Sequence, residues 1–273
     1  MNILLSVIYG TSFGEELVLN LITGVKDGIK LSTPYRMRTV NGREWTCNLK
    51  VDLRKGTYVD YYYSVVRGED NVVRSEWRNE PHRLELNTLR GDTITVYDHW
   101  IDLPDDSYLY SSAFTDCIRR RKILPVALSD YPVTVRLKVR APQLSDKQRL
   151  AVTGNEDVLG GWDVFKAIPM VEHNYNEWIV DIDVTKLKSN IIYFKFLAVD
   201  VHDRADVLWE DCMNRRVELP DMKEGDVIVY ELDDKDINPI LPEDVVSSMN
   251  NNDHRSNSEK CYIAHSHMNY HPH

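Results

Sequence analysis

The chain has 273 residues and a formal net charge of −10. Nucleic-acid binding relies on clustered Lys and Arg that displace counterions, so this acidic balance argues against a nucleic-acid partner. The apolar residues are dispersed, and no run approaches the roughly 20 residues of a membrane span. The length suits two domains of roughly 100 residues each with connecting segments.

The first segment predicts a β-strand. Its apolar residues alternate as Ile3, Leu5, Val7 and Tyr9, and no basic residue precedes them, which is unlike a secretory signal peptide. Four cysteines are scattered without paired spacing: Cys47, Cys117, Cys212 and Cys261. This spacing fits neither a zinc ribbon nor a dense disulfide framework, so we expect a reducing, cytoplasmic location and no cofactor.

Three consecutive tyrosines, Tyr61, Tyr62 and Tyr63, lie in an apolar segment of the first half. Successive side chains of a strand face opposite sides, so Tyr61 and Tyr63 are expected to share one face and Tyr62 the other. Interior packing is the more common role for at least one of these faces. Residues 105–130 then form a linker, whose short basic run at 119–122 we interpret as a solvated surface.

The second half carries the most informative pattern of the chain. Trp178 lies in a strand whose alternate residues are apolar, which predicts that its side chain is buried. Trp162 instead follows two glycines in a turn, and Trp209 stands in a polar segment. A sugar ring has an apolar face of C–H bonds and a rim of hydroxyls. Exposed aromatic rings flanked by short polar groups therefore suit a sugar ligand.

Four fragments of the second half resemble the family 20 carbohydrate-binding module, a starch-binding module: TGNEDVLGGW, EWIVDIDV, YFKF and LWEDCMNR. The resemblance covers about Tyr131 to Leu232. It implies an antiparallel β-sandwich of Greek-key type whose partner is α-1,4-glucan, either a polysaccharide or a malto-oligosaccharide.

The resemblance also implies a set of binding residues. In that family two tryptophans and a lysine form the main glucan site, and the matching positions are Trp162, Trp209 and Lys195. Asn214 corresponds to the asparagine of the family's last motif, and Glu210 occupies the acidic position beside the tryptophan. No catalytic residue is assigned.

The first half follows the same order of segments as the second. Trp77 and Arg83 are six residues apart, as are Trp209 and Arg215, and a Gly-Asp pair precedes the last strand of each half. The repeat predicts an all-β chain of two tandem antiparallel immunoglobulin-like β-sandwiches, at 1–104 and 131–233, joined by the linker.

The first copy departs from the pattern at the main site. No tryptophan occurs between Leu21 and Pro34, and the run of three tyrosines replaces the lysine of YFKF. Glucan binding by the first copy is therefore in doubt, and Trp77 is its best contact residue. In the second copy, Tyr175 is the nearest candidate for a smaller family site that uses tyrosines.

A polar tail at 234–273 is expected to be disordered. It contains His265, His267, His271 and His273, but histidines in a flexible tail without Cys or carboxylate partners more often bind no metal. We therefore predict no metal site.

The tandem arrangement and the linker segment SSAFTDCI resemble the N-terminal region of cytosolic 4-α-glucanotransferases of glycoside hydrolase family 77. No segment shows the strand–helix alternation of that family's catalytic barrel. The resemblance thus implies non-catalytic targeting, with a glucanotransferase catalytic domain as a partner. Two alternatives stay open. One is an enzyme fragment that acts only with a downstream catalytic domain. The other is a protein-interaction sandwich that uses a sheet edge or the Tyr61–Tyr63 surface.

Overall fold

The computed structural model describes residues 1–52, 58–76, 81–86, 93–102, 129–141, 144, 146–173, 177–210 and 213–232. Its regular structure is all-β, which confirms the predicted fold class. Among these residues, the helical segments are single 3-10 turns at Asp157–Leu159, Val164–Lys166 and Val184–Lys186. The helical segments that the structure describes are all too short to span a membrane.

The strands fall into two groups along the chain. The first group is β1 Asn2–Ile8, β2 Glu15–Lys26, β3 Ile29–Arg36, β4 Arg38–Thr39, β5 Glu44–Lys50, β6 Tyr58–Arg67, β7 Asn71–Ser75, β8 His82–Glu85 and β9 Thr93–Asp98. The second group is β10 Thr134–Arg140, β11 Gln148–Gly154, β12 Ile168–Pro169, β13 Val171–His173, β14 Glu177–Asp183, β15 Ile191–Asp200, β16 Val207–Trp209, β17 Arg215–Glu218 and β18 Val227–Leu232.

The chain divides into two compact units. The first unit contains the described residues from 1 to 102, together with 129–130 and 225–231, and the second contains 131–224 and 232. Sequence reasoning placed 225–231 in the second sandwich. The structure differs because β18 pairs in parallel with β9, in a register that runs from Val227 opposite Ile94 to Tyr230 opposite Tyr97.

Two sheets face each other across the core of the first unit. One sheet contains β4, β5, β1, β9 and β18, and the other contains β3, β2, β6 and β7, with β8 beside β6. Alternate residues of both sheets point inward and form a single buried cluster that includes Leu5, Leu19, Val96 and Val229. Two pairings among the described strands of this unit are parallel, β1 with β9 and β9 with β18, whereas we predicted an antiparallel sandwich.

The second unit also contains two sets of strands. β13, β14 and β10 form one, and β12, β11, β15 and β16 form the other, with β17 beside β15. Trp178 of β14 is fully buried, as its alternating strand predicted. Phe194 and Phe196 are also buried and pack edge to face, with ring centroids 5.7 Å apart.

Several local predictions are confirmed. The N-terminal segment is strand β1, and Tyr61 and Tyr63 are buried on one face of β6 while Tyr62 lies on the other. Cys47 is buried, and desolvation raises the pKa of its thiol. The other three cysteines, the linker up to residue 128 and the tail from 234 lie outside the described residues.

Candidate carbohydrate-binding site

Trp162 is held by an unusual backbone conformation. Gly160, Gly161 and Trp162 have φ values of 84°, 57° and 66°, so three successive residues adopt the left-handed region. A bulky side chain is uncommon there, and such strain persists only where surrounding contacts impose it. The Trp162 N–H donates to the Gly154 carbonyl oxygen at 2.9 Å, which ties the turn to the end of β11. The Trp162 side chain stays partly exposed.

The glycines of this turn have distinct roles. A Cβ on Gly160 would lie 2.6 Å from the backbone oxygen of Lys166, so the chain passes too close there for any side chain. A Cβ on Gly161 would meet no atom within 4 Å. Gly160 is therefore required by space and conformation together, and Gly161 by conformation alone.

Asn155 anchors the same loop to β15, a role that sequence reasoning missed. Its Oδ1 accepts from the Tyr193 N–H at 2.9 Å, and its own N–H donates to the Tyr193 carbonyl at 2.9 Å. Glu156 is buried and accepts from the Lys188 N–H at 2.9 Å. The signal was an Asn directly after the strand-ending Gly154, since Asn side chains readily bond nearby backbone.

Lys195 and Trp209 share one face of the sheet. Ile192, Phe194 and Phe196 of β15 point into the core, so Lys195 points outward and is partly exposed. Trp209 of β16 pairs with Leu197, and antiparallel partners project to the same side. Trp209 is therefore the diagonal neighbour of Lys195. Among the described residues, the Lys195 ammonium has no ion pair.

These features bring three predicted residues to one end of one sheet. Lys195 pairs with Thr153, the residue before Gly154, and Gly154 accepts the hydrogen bond from Trp162. Trp162 thus lies beside β11, with Lys195 on the next strand and Trp209 on the strand after that. Asn214 is exposed in the segment between β16 and β17.

Glu210 requires a correction. Its side chain is buried, and the Nε of Arg215 donates to its two carboxylate oxygens at 2.7 and 3.1 Å. A carboxylate enclosed in this way cannot contact a sugar at the surface. Glu210 instead fixes Arg215, whose guanidinium lies 5.1 Å from the ring centroid of Phe196. Tyr175 and Trp77, the two remaining predicted contact residues, lie outside the described residues.

Strand register corrects the proposed repeat. β8 places His82 opposite Tyr61, and β17 places Arg215 opposite Phe194. The N–H groups of Glu76 and Glu210 donate to the carbonyls of Tyr63 and Phe196, respectively. His82 therefore corresponds to Arg215, and Arg83 corresponds to Arg216. From the sequence spacing we had expected Arg83 to correspond to Arg215.

The same register places Tyr62 of the first unit at the position of Lys195. Where the second unit has the tryptophan loop, the first has a hairpin of β2 and β3 that turns at Asp27 and Gly28, both with positive φ. The protein-interaction alternative invoked a surface formed by Tyr61 to Tyr63. Because Tyr61 and Tyr63 are fully buried, Tyr62 alone of these three could contact a partner protein.

Comparison with known families finds a similarity in the second half of the chain. Residues 132–229 match the family model described as the starch binding domain, CBM_20. This segment is therefore similar to starch-binding domains. The match contains all four fragments that carried the resemblance, together with Trp162, Lys195 and Trp209.

Two curated proteins are similar to the chain. Starch-binding domain-containing protein 1 of Rattus norvegicus is 29% identical over 93 residues, which cover 34% of this chain and 26% of that protein. The cyclomaltodextrin glucanotransferase of Bacillus sp. (strain 1-1) is 23% identical over an alignment of 270 residues. The match covers 78% of this chain and 36% of that enzyme. The chain thus spans about a quarter to a third of these relatives.

A solved structure is also similar to part of the chain. It is the family 20 carbohydrate-binding module of the maltotetraose-forming amylase from Pseudomonas saccharophila STB07. It is 18% identical with a TM-score of 0.30, and the match covers 36% of this chain and 99% of that module.

Proposed function

We propose that the chain binds α-1,4-glucan without catalysis, through a surface formed by Trp162, Lys195, Trp209 and Asn214 of the starch-binding domain. The observation that carries this proposal is the left-handed turn at Trp162. It holds a large aromatic residue in a strained conformation at the exposed end of the sheet. A tryptophan that served only to fill the core would not need such a turn.

The chemistry of the surface suits neutral sugar. Two indole rings on neighbouring segments would stack on the C–H faces of adjacent glucose rings, each adding on the order of 1 kcal/mol beyond simple burial. The Lys195 ammonium and the Asn214 side-chain amide would donate to the hydroxyl rim. Few direct contacts imply an affinity between roughly micromolar and millimolar. A weak site of this kind lets a polymer slide while it remains tethered.

The second part of the proposal is a targeting role. The similarity to a glucanotransferase covers 36% of that enzyme. We propose that the chain delivers an associated glucanotransferase-type catalytic domain to its polymer. The first unit has a hairpin and Tyr62 where the second has Trp162 and Lys195, which supports a main site on the second unit. Any glucan contact by the first unit would increase the overall affinity, because binding by one unit raises the effective concentration of glucan at the other.

Affinity electrophoresis through gels with and without glycogen or amylopectin tests the proposal. The wild-type chain should be retarded by glucan, and Trp162→Ala or Trp209→Ala should migrate as in the glucan-free gel. Tyr131→Ala is the matched control. It removes an exposed aromatic residue that precedes β10, a strand that belongs to a different sheet from β11, β15 and β16. Unretarded wild type, or equal loss in the control, would overturn the proposal.

A further inference from the structure

The core of the first unit encloses a cluster of ionisable side chains. His82, Asp98 and Glu231 are all buried, and each offers one metal-ligating atom within 4.8 Å of the other two. The strand pattern explains their placement. Asp98 continues the inward positions of Ile94 and Val96 on β9, and Glu231 continues those of Val227 and Val229 on β18. Two neighbouring strands thus end their apolar inner faces with a carboxylate.

One nitrogen atom of His82 and one oxygen atom of Asp98 have no hydrogen-bond partner. Asp98 Oδ2 accepts hydrogen bonds from the hydroxyls of Tyr61 at 2.7 Å and Tyr63 at 2.6 Å, whereas Oδ1 has no hydrogen-bond partner. Nε2 of His82 lies 2.8 Å from Glu76, whereas Nδ1 has no hydrogen-bond partner. These two buried, unbonded atoms lie 3.6 Å apart, which is too long for a normal hydrogen bond.

We propose that the first unit binds a divalent transition-metal ion of the zinc class through His82 Nδ1, Asp98 Oδ1 and the Glu231 carboxylate. Ligands about 2.0–2.2 Å from a tetrahedral zinc ion lie roughly 3.3–3.6 Å from each other. The separation of the two unbonded atoms matches that geometry. The ion would also offset the negative charge of carboxylates buried around a single imidazole.

The next layer of contacts supports the same assignment. Metal-bound imidazoles commonly donate their other N–H to a carboxylate, and Glu76 occupies that place on His82. Glu76 is itself fixed, because it accepts from the backbone N–H groups of Tyr63 and Ile101 at 2.6 and 2.7 Å. The two tyrosine hydroxyls orient Asp98 in a corresponding way. Imidazole with carboxylates favours zinc, iron or manganese over magnesium or calcium.

The ion would connect the two sheets of the first unit. His82 lies on β8 in one sheet, and Asp98 and Glu231 lie on β9 and β18 in the other. A bond through the metal would therefore cross-link the sandwich at the end of its core, in a structural rather than catalytic role. This proposal does not depend on glucan binding, because it concerns the other unit.

Protonation of His82 is the alternative to metal binding at this cluster. Burial lowers the pKa of His82, but the charges of Glu76 and Asp98 and the hydrogen bond that the ring donates to Glu76 outweigh this effect and raise the pKa to about 9. An imidazolium would balance part of the buried charge without any metal. The second unit uses the permanent charge of Arg215 at the corresponding position. His82→Arg therefore provides a variant with a fixed positive charge and no metal ligand.

The test uses the full chain with the tail histidines replaced by Gln, so that they cannot bind the ion: His254, His265, His267, His271 and His273. After dialysis against Zn²⁺, elemental analysis should find one zinc per chain. Removal by a chelator should lower the thermal midpoint by roughly 5 °C or more. Asp98→Asn and His82→Arg should bind no zinc, and their midpoints should not respond to it. Asp60→Asn, which removes a carboxylate bonded to Arg83, is the matched control and should retain the metal.

A zinc-independent midpoint in the wild-type background would overturn the proposal, as would equal zinc content in Asp98→Asn. If both ligand variants fail to fold, Co²⁺ added to the wild-type background keeps the test decisive. Visible absorption of bound Co²⁺ supports the site, and its absence overturns it. Mg²⁺ should cause no shift at the same concentration.

Discussion

The Arg215 guanidinium donates through Nε to both carboxylate oxygens of Glu210, and both side chains are buried. Breaking a buried ion pair leaves one charge without a partner, at a cost of about 3–5 kcal/mol. Glu210→Ala should therefore lower the free energy of unfolding by about that amount, measured by urea denaturation. Where the variant is folded, its affinity for malto-oligosaccharide should stay close to that of the wild type.

The matched control for this variant is Glu218→Ala. Glu218 is an exposed partner of Arg216, so the change should alter stability by less than about 0.5 kcal/mol. A large affinity loss in a Glu210 variant of unchanged stability would show that the carboxylate contacts sugar after all.

Gly160→Ala should impair glucan binding more than Gly161→Ala does. An Ala at 160 adds a contact of 2.6 Å with backbone to the cost of a left-handed conformation, so the loop must shift and Trp162 with it. An Ala at 161 pays only the conformational cost of about 1–2 kcal/mol. Isothermal titration with a malto-oligosaccharide and urea denaturation measure the two effects. Equal affinity of the two variants would contradict the assigned role of Gly160.

Trp162→Gly should be more stable than Trp162→Ala, although neither should bind glucan. Both variants lose the indole contacts, but only Gly relieves the positive φ of 66°. The expected difference in the free energy of unfolding is about 1–2 kcal/mol. Identical stabilities would mean that the residue at 162 leaves the left-handed region once the indole is removed.

Lys195→Met should weaken glucan binding by roughly 3- to 10-fold without lowering stability, since one net hydrogen bond contributes about 0.5–1.5 kcal/mol. Met keeps the aliphatic length of the side chain and removes the donor. Lys188→Met is the matched control, because that exposed ammonium pairs with Asp157 rather than lying on the proposed surface. Calorimetric titration should show the loss for Lys195→Met alone.

Sequence periodicity predicted the local features of this fold well. The alternation around Trp178 and in the tyrosine run determined which side chains are buried, because a strand exposes its two faces in turn. Trp162 and Trp209 stand among polar residues and their side chains stay partly exposed, while their contact with glucan stays a prediction. The structural role of Glu210 was not predicted. Its position beside a partly exposed tryptophan suggested an exposed carboxylate, and the sequence does not show that Arg215 pairs with it in the interior.

Long-range pairing accounts for the remaining differences. A parallel neighbour such as β18 for β9 leaves no trace in the spacing of either strand. The cluster of His82, Asp98 and Glu231 depends on that pairing, so it could not be predicted from the separate segments. An Asp in phase with Ile94 and Val96 was the only local sign that a polar group ends the inner face of β9.

The pairing of β18 with β9 also determines the order in which the first unit can be completed during synthesis. The ribosome releases β9 well before β18, and at roughly 5–20 residues per second the delay is on the order of ten seconds. Throughout that interval one edge of β9 lacks its native strand and can accept a foreign one. The first unit therefore matures only after β18 has emerged from the ribosome.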